Sequence, residues 1–139
     1  MRNTRNSFLK FLEAELPSIE IHPLTINSRY PEDALLKLNC LNVNFLNTNF
    51  DPHINEQTVS LDVIFEKEND GVDAVEDIFD LLSKRFFIPK YDYTVPSVPV
   101  SLNSNIYWDK DVINFTKISN NKYYHANTTF NLKHYRALA

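Results

Sequence analysis

The chain has 139 residues, 43% of them hydrophobic and 13% aromatic, with a formal net charge of −4. That is enough apolar material for one domain, residues 1–139, to close a core without disulfide or metal staples. The acidic balance argues against non-specific nucleic-acid binding, which rests on clustered lysine and arginine.

Cys40 is the only cysteine and Gly71 the only glycine. A lone cysteine excludes an intramolecular disulfide and a thiolate cluster for zinc or iron–sulfur, and fits a reducing compartment. A lone glycine excludes the phosphate loop and the dinucleotide fingerprint, which need several glycines for backbone N–H groups to close on phosphates. No cofactor is expected. The first residues alternate polar and apolar without a signal-peptide core, and no apolar run approaches the about 18 residues of a membrane span. A soluble, unexported protein with no membrane partner is therefore expected, and the glycosylation-type triplets at Asn114 and Asn127 have no use there. Lys84 with Arg85, and Lys133, His134 and Arg136, read as solvated surface charge.

In chain order, Phe8, Phe11, Leu12 and Leu16 recur at three- and four-residue spacing, which predicts a helix from Thr4 to Leu16, ended by Pro17. A short strand over Ile19 to His22 and a loop through Pro23 and Arg29-Tyr30-Pro31 follow. From Leu36 to Phe45 a long strand changes phase at Cys40-Leu41, where either a β-bulge sits or both faces become covered. Asn47 to Glu56 reads as a polar hairpin connection.

Gln57 to Glu66 is a half-buried strand, with Val59, Leu61, Val63 and Phe65 on one face and Thr58, Ser60 and Asp62 on the other. Asn69-Asp70-Gly71 supplies turn residues, and Asp73 with Glu76 has capping-box spacing. The helix they open is expected to bury Val75, Ile78, Phe79, Leu82 and Phe86, with Lys84 and Arg85 placed favourably at its C-terminal end. Strand residues return at Ile106 to Trp108 and Val112 to Ile118. A turn over Ser119 to Lys122 leads to a final strand, Tyr123 to Tyr135, with Tyr124, Ala126, Thr128, Phe130 and Leu132 on one face.

None of this carries a reaction signature. His22, His53, His125 and His134 are scattered, and His125 and His134, nine apart on one strand, fall on opposite faces. They read as exposed or hydrogen-bonded structural histidines. Asp51 and His53 read as turn formers. Asp109 and Asp111 read as a polar turn ahead of a paired-carboxylate site. Ser83, Ser97 and Ser101 lack a neighbouring base and a glycine elbow. No catalytic or metal-ligating residue is assigned.

Phe87 to Trp108 differs, because it sets Phe87, Ile88, Tyr91, Tyr93, Val95, Val98, Val100, Tyr107 and Trp108 among prolines that limit regular pairing. Two fates are open for such a strip. It folds back on the chain's own core, or it packs on another subunit, where aromatic anchors carry much of the binding energy. Phe87, Ile88, Tyr91, Tyr93, Val95, Tyr107 and Trp108 are the candidate interface residues.

The N-terminal helix with Phe8, Leu12 and Leu16, the Thr58 to Glu66 strand running into the Ala74 to Phe86 helix, and the closing Tyr123 to Tyr135 strand together resemble the tail terminator, or tail-to-head joining, proteins of long-tailed bacteriophages. The resemblance implies an α+β fold, a mainly antiparallel β-sheet with two helices packed against it. It also implies a non-enzymatic virion protein that forms a hexameric ring on the last ring of the tail tube. Such a ring stops tube polymerisation and joins tail to neck. Its partners are other copies of itself, the tail tube protein and a neck or head-completion protein, with DNA only as cargo passing through the channel. No individual residue matches a fixed motif of that family. The alternatives are another neck, head-completion or tube-related ring subunit, a small adaptor domain for a cellular protein, and an enzyme with dispersed site residues.

Overall fold

A computed structural model describes residues 2–24, 36–50, 54–89, 105–119 and 122–135. Two helices, α1 (Arg2–Glu15) and α2 (Glu68–Lys84), pack on a sheet of strands β1 (Ile21–Pro23), β2 (Cys40–Phe50), β3 (Ile54–Phe65), β4 (Phe87–Pro89), β5 (Asn105–Tyr107), β6 (Thr116–Lys117) and β7 (Tyr124–Tyr135). The strand order is β1-β2-β3-β7-β5-β4, with β6 also paired to β7. Among the described strands only β1 on β2 is parallel. This is the expected α+β architecture.

The centre is β3, flanked by β2 and β7 over nearly its whole length. Its alternation does what period-two patterning requires: Val59, Leu61 and Val63 join Leu41, Val43, Phe45, Phe130 and Leu132 on the inner face, beneath Phe8, Phe11, Leu12, Ala74, Ile78 and Leu82 of the helices. Each fully buried Leu or Ile of this set stabilises the fold by about 1.5–3 kcal/mol. The opposite, outer face carries Thr58, Ser60 and Asp62 beside Asn131, Thr129 and Asn127.

The phase change at Cys40-Leu41 marks double coverage: Cys40, Leu41, Asn42 and Val43 are all buried. The bulge lies further on, between Phe45 and Thr48. Gln57 accommodates it from β3. Buried beneath the strand, its Nε2 donates to the Asn47 and Thr58 carbonyls at 3.0 and 3.1 Å, and its Oε1 accepts from Thr48 Oγ1 at 2.8 Å. The strand does not begin at Leu36. Leu36 and Leu38 are exposed, and Asn39, at φ 61°, turns the chain into β2. Asparagine tolerates that left-handed backbone, and its side chain accepts the Glu66 amide at 3.1 Å. The Asn47 to Glu56 stretch, expected as a connection, is mostly strand.

Helix α2 starts earlier than Asp73. Lys67 is its N-cap and Gly71 lies inside its first turns, not in a preceding turn. Glu68 and Asp70 there interact favourably with the positive end of the helix dipole. Gly71 is needed because the Tyr124 ring sits where a Cβ would be. Ile78 and Leu82 are buried as expected, but Phe79 is 42% exposed and Phe86 is also exposed. The apolar repeat is wider than the face that α2 presents to the sheet. Between β5 and β6 lie a 3-10 turn, Lys110–Val112, and an irregular stretch, 113–115, so that of the expected Val112 to Ile118 strand only Thr116–Lys117 forms. The Arg29-Tyr30-Pro31 loop and the tip of the Ser119 to Lys122 turn lie outside the described residues.

Candidate functional site

Two surfaces gather functional side chains, and the aromatic flank is the first. Tyr91, Tyr93, Val95, Val98 and Val100 lie outside the described residues. Of the others, Ile88 and Trp108 belong to the chain's own core, which corrects their reading as interface residues. Trp108 is 2% exposed, edge-on to Phe8 at 6.0 Å and beside Phe11 at 5.7 Å. Its indole N–H donates to the Leu82 carbonyl at 2.9 Å. Leu82 is in the last turn of α2, where carbonyls lack helical partners, so the indole both fills the core and caps the helix.

What remains outward is a compact cluster. Phe87 is 38% exposed, Phe86 stacks edge-on against it at 5.3 Å, and half-buried Tyr107 lies 6.1 Å from it across the β4–β5 pair. Lys110 Nζ sits over the Phe86 ring at 5.8 Å. Alternation explains the division: Phe87 and Ile88 are consecutive on β4, so one faces out while the other faces the core. Composition marked the segment as apolar and could not separate these two sides.

The second surface is the outer face of the sheet. His125 Nε2 lies 2.7 Å from Asp62 Oδ1, and the same oxygen accepts from Asn127 Nδ2 at 3.0 Å. Asn127 also donates to Ser60 Oγ at 2.8 Å, and Thr129 Oγ1 lies 3.3 Å from that hydroxyl. Thr58 Oγ1 donates to Asn131 Oδ1 at 2.8 Å. These are cross-strand neighbours in the β3–β7 register, so the ladder follows directly from the pairing. The imidazole is directed at the carboxylate and the serine hydroxyl at Asn127, which is not the hydroxyl–imidazole–carboxylate order of nucleophilic catalysis. The expectation of a hydrogen-bonded structural histidine holds for His125. Asp62 as its partner was missed; the outward parity of both residues was the only signal.

Cys40 lies under this face, its Sγ 3.2 Å from the Lys37 carbonyl. Burial pushes its thiol up to about 11, with Glu20 adding to the effect. Lys37 is held above its ordinary value by its hydrogen bond to Glu20 at 2.7 Å. Asp109 and Asp111 form the expected polar turn, Asp109 Oδ1 accepting the Asp111 amide at 2.9 Å. Among the described residues no cluster of three or more metal-ligating side chains occurs, and no helix is long and apolar enough to cross a membrane. A groove of about 380 Å³ runs between the 3-10 turn and β7, lined by Asp109, Val112, Thr129, Phe130, Asn131 and Lys133.

No protein-family model matches the chain, and no curated protein matches its sequence.

Proposed function

We propose that the chain is a ring-forming structural protein of a phage virion, a tail terminator that caps the tail tube, stops its polymerisation and joins it to the neck. The observation that carries this reading is the aromatic cluster Phe86, Phe87 and Tyr107, displayed at the edge of a small α+β domain and outside the buried core that the described residues form. Large apolar groups left outside a core serve as anchors for another surface. In this reading that surface belongs to the next copy in the ring, and the contact is head-to-tail.

The exposed side of α2 supplies a second support. Glu68, Asp70, Asp73, Glu76, Asp77 and Asp80 concentrate carboxylates there. Facing a channel, they let DNA pass without adhering. A basic lumen in the assembled ring would contradict that placement. The same features suit another neck or head-completion ring subunit, which differs in the tail or head component it binds.

Native mass spectrometry and negative-stain microscopy of the purified protein, alone and mixed with tail tubes, test the reading. A closed ring, seated on tube ends and weakened by Phe87→Ser at unchanged monomer stability, is expected. A strict monomer at high concentration that leaves tube ends bare would overturn it.

A further inference from the structure

Sheet edges are where a fold is open to other chains, and the two edges of this sheet differ. At the β4 edge the strand has only three residues. Pro89 has no N–H to offer there, and Arg85 Nε donates to the Phe87 carbonyl at 3.2 Å. That edge is closed to backbone pairing.

The opposite edge is open among the described residues. β1 covers β2 only from Leu41 to Val43, after which the Leu24 amide takes the Val43 carbonyl. Beyond that point the outer side of β2 continues to Phe50 with no neighbouring strand among the described residues. The backbone direction follows from the bonds already made. Leu41 N–H and the Val43 carbonyl point to the β1 side, so by alternation Phe45 does too, and after the bulge the outward set becomes Thr48 and Phe50.

The side chains leave this edge unprotected. The stretch Asn44-Phe45-Leu46-Asn47-Thr48-Asn49-Phe50 holds neither a charge nor a proline, the usual devices that keep edges apart. Leu46 within it is 49% exposed. Neutrality matters most for pairing with an identical strand. In an antiparallel two-fold contact the residue on the axis faces itself and its neighbours face one another across it, so a charge near the axis would meet its like. Here none does, and asparagine and threonine side chains can hydrogen-bond across the join.

We propose that β2 pairs through this edge with β2 of a second copy, antiparallel across a two-fold axis, so that two sheets become one. The contact is separate from the aromatic flank, which lies at the far edge of the sheet. It is also of a different symmetry from the head-to-tail contact a ring requires. It therefore does not rest on the ring reading.

Sedimentation over a concentration series, with residue-resolved amide exchange by NMR, tests it on the wild-type chain. The expected result is association, as a dimer or as a larger species that contains the β2–β2 contact, in which exchange of the Phe45, Thr48 and Phe50 amides is slowed relative to the dilute monomer. Leu46→Lys, an exposed substitution that places like charges near the axis, should weaken that association by about tenfold or more with the thermal midpoint of the dilute monomer unchanged. A monomer throughout the series overturns edge pairing. So does any assembly in which those three amides exchange as fast as in the monomer, or one that Leu46→Lys leaves intact. A closed ring with the three amides unprotected would overturn edge pairing alone and leave the ring reading standing.

Discussion

The Tyr124 ring lies against the backbone of Gly71, filling the space that a side chain at that position would occupy. This contact joins the start of α2 to the start of β7. Gly71→Ala therefore sets two effects against each other. Alanine favours the helix by about 1 kcal/mol, while forcing the ring aside costs about 1–3 kcal/mol. The overlap is with the ring's inner atoms Cγ and Cδ1, which cannot swing away freely. A net loss of stability is expected in urea denaturation, and Gly71→Ala combined with Tyr124→Ala should show positive coupling. A stabilised Gly71→Ala variant would mean that the ring yields easily.

Trp108 belongs to the monomer's own energetics. Trp108→Ala should lower folding stability by about 3–5 kcal/mol. Trp108→Phe keeps a ring beside Phe8 and Phe11 but leaves the Leu82 carbonyl without its indole donor, at about 1–3 kcal/mol. Chemical denaturation of a dilute, monomeric sample checks both. Equal stability to wild type would return Trp108 to the interface.

Along α2 the sequence periodicity and the structure part company, and the pair Phe79 and Leu82 measures the difference. Leu82→Ala should cost about 2–5 kcal/mol. Phe79→Ala, at an exposed position, should fall within about 0.5 kcal/mol of wild type. Reversed magnitudes would mean that the helix packs on its other stripe.

Asp62 accepts from Asn127 and lies 2.7 Å from the His125 ring, so Asp62→Ala removes the group facing His125 and one of the acceptors of Asn127. A loss of about 1–3 kcal/mol is expected. Asp62→Asn should retain part of it, because an amide oxygen can still accept from Asn127.

Cys40 predicts a pH dependence. The folded thiol titrates near 11 because it is buried, against an ordinary value of 9.0. A group whose folded pKa is raised contributes stability that is fully present below its unfolded pKa and is lost as pH rises towards the folded value. Stability should therefore fall between about pH 9 and 11. In Cys40→Ser that part of the fall should vanish. Native Cys40 should also react slowly with thiol reagents at pH 8, since both access and thiolate formation are suppressed.

Much of this fold was legible because its strands obey local rules. The alternation of Val59, Leu61 and Val63, and that of Ala126, Thr128, Phe130 and Leu132, identified both the strands and their buried face. The boundaries of β2 were not legible, because the asparagine-rich stretch from Asn47 looks polar even though it is paired. Gly71 read as a turn residue since glycine's common role is conformational, and only tertiary proximity to Tyr124 reveals its spatial role. The Asp62–His125 contact depends on a register between strands about sixty residues apart, which no local pattern encodes. The outward cluster of Phe86, Phe87 and Tyr107 was visible as composition, and its separation from Ile88 and Trp108 required the β4–β5 pairing.

The β3–β7 pairing joins residues as distant in sequence as Ile54 and Tyr135. That ladder cannot form until Tyr135 has been synthesised, and closing so long a loop precedes any reward from the contacts. The β2–β3 hairpin closes locally and can form first. Refolding should therefore be slow for a domain of this size, in the range of milliseconds to seconds. Amides of β2 should gain protection before those of β7, leaving β3 half-paired and adhesive in the interval.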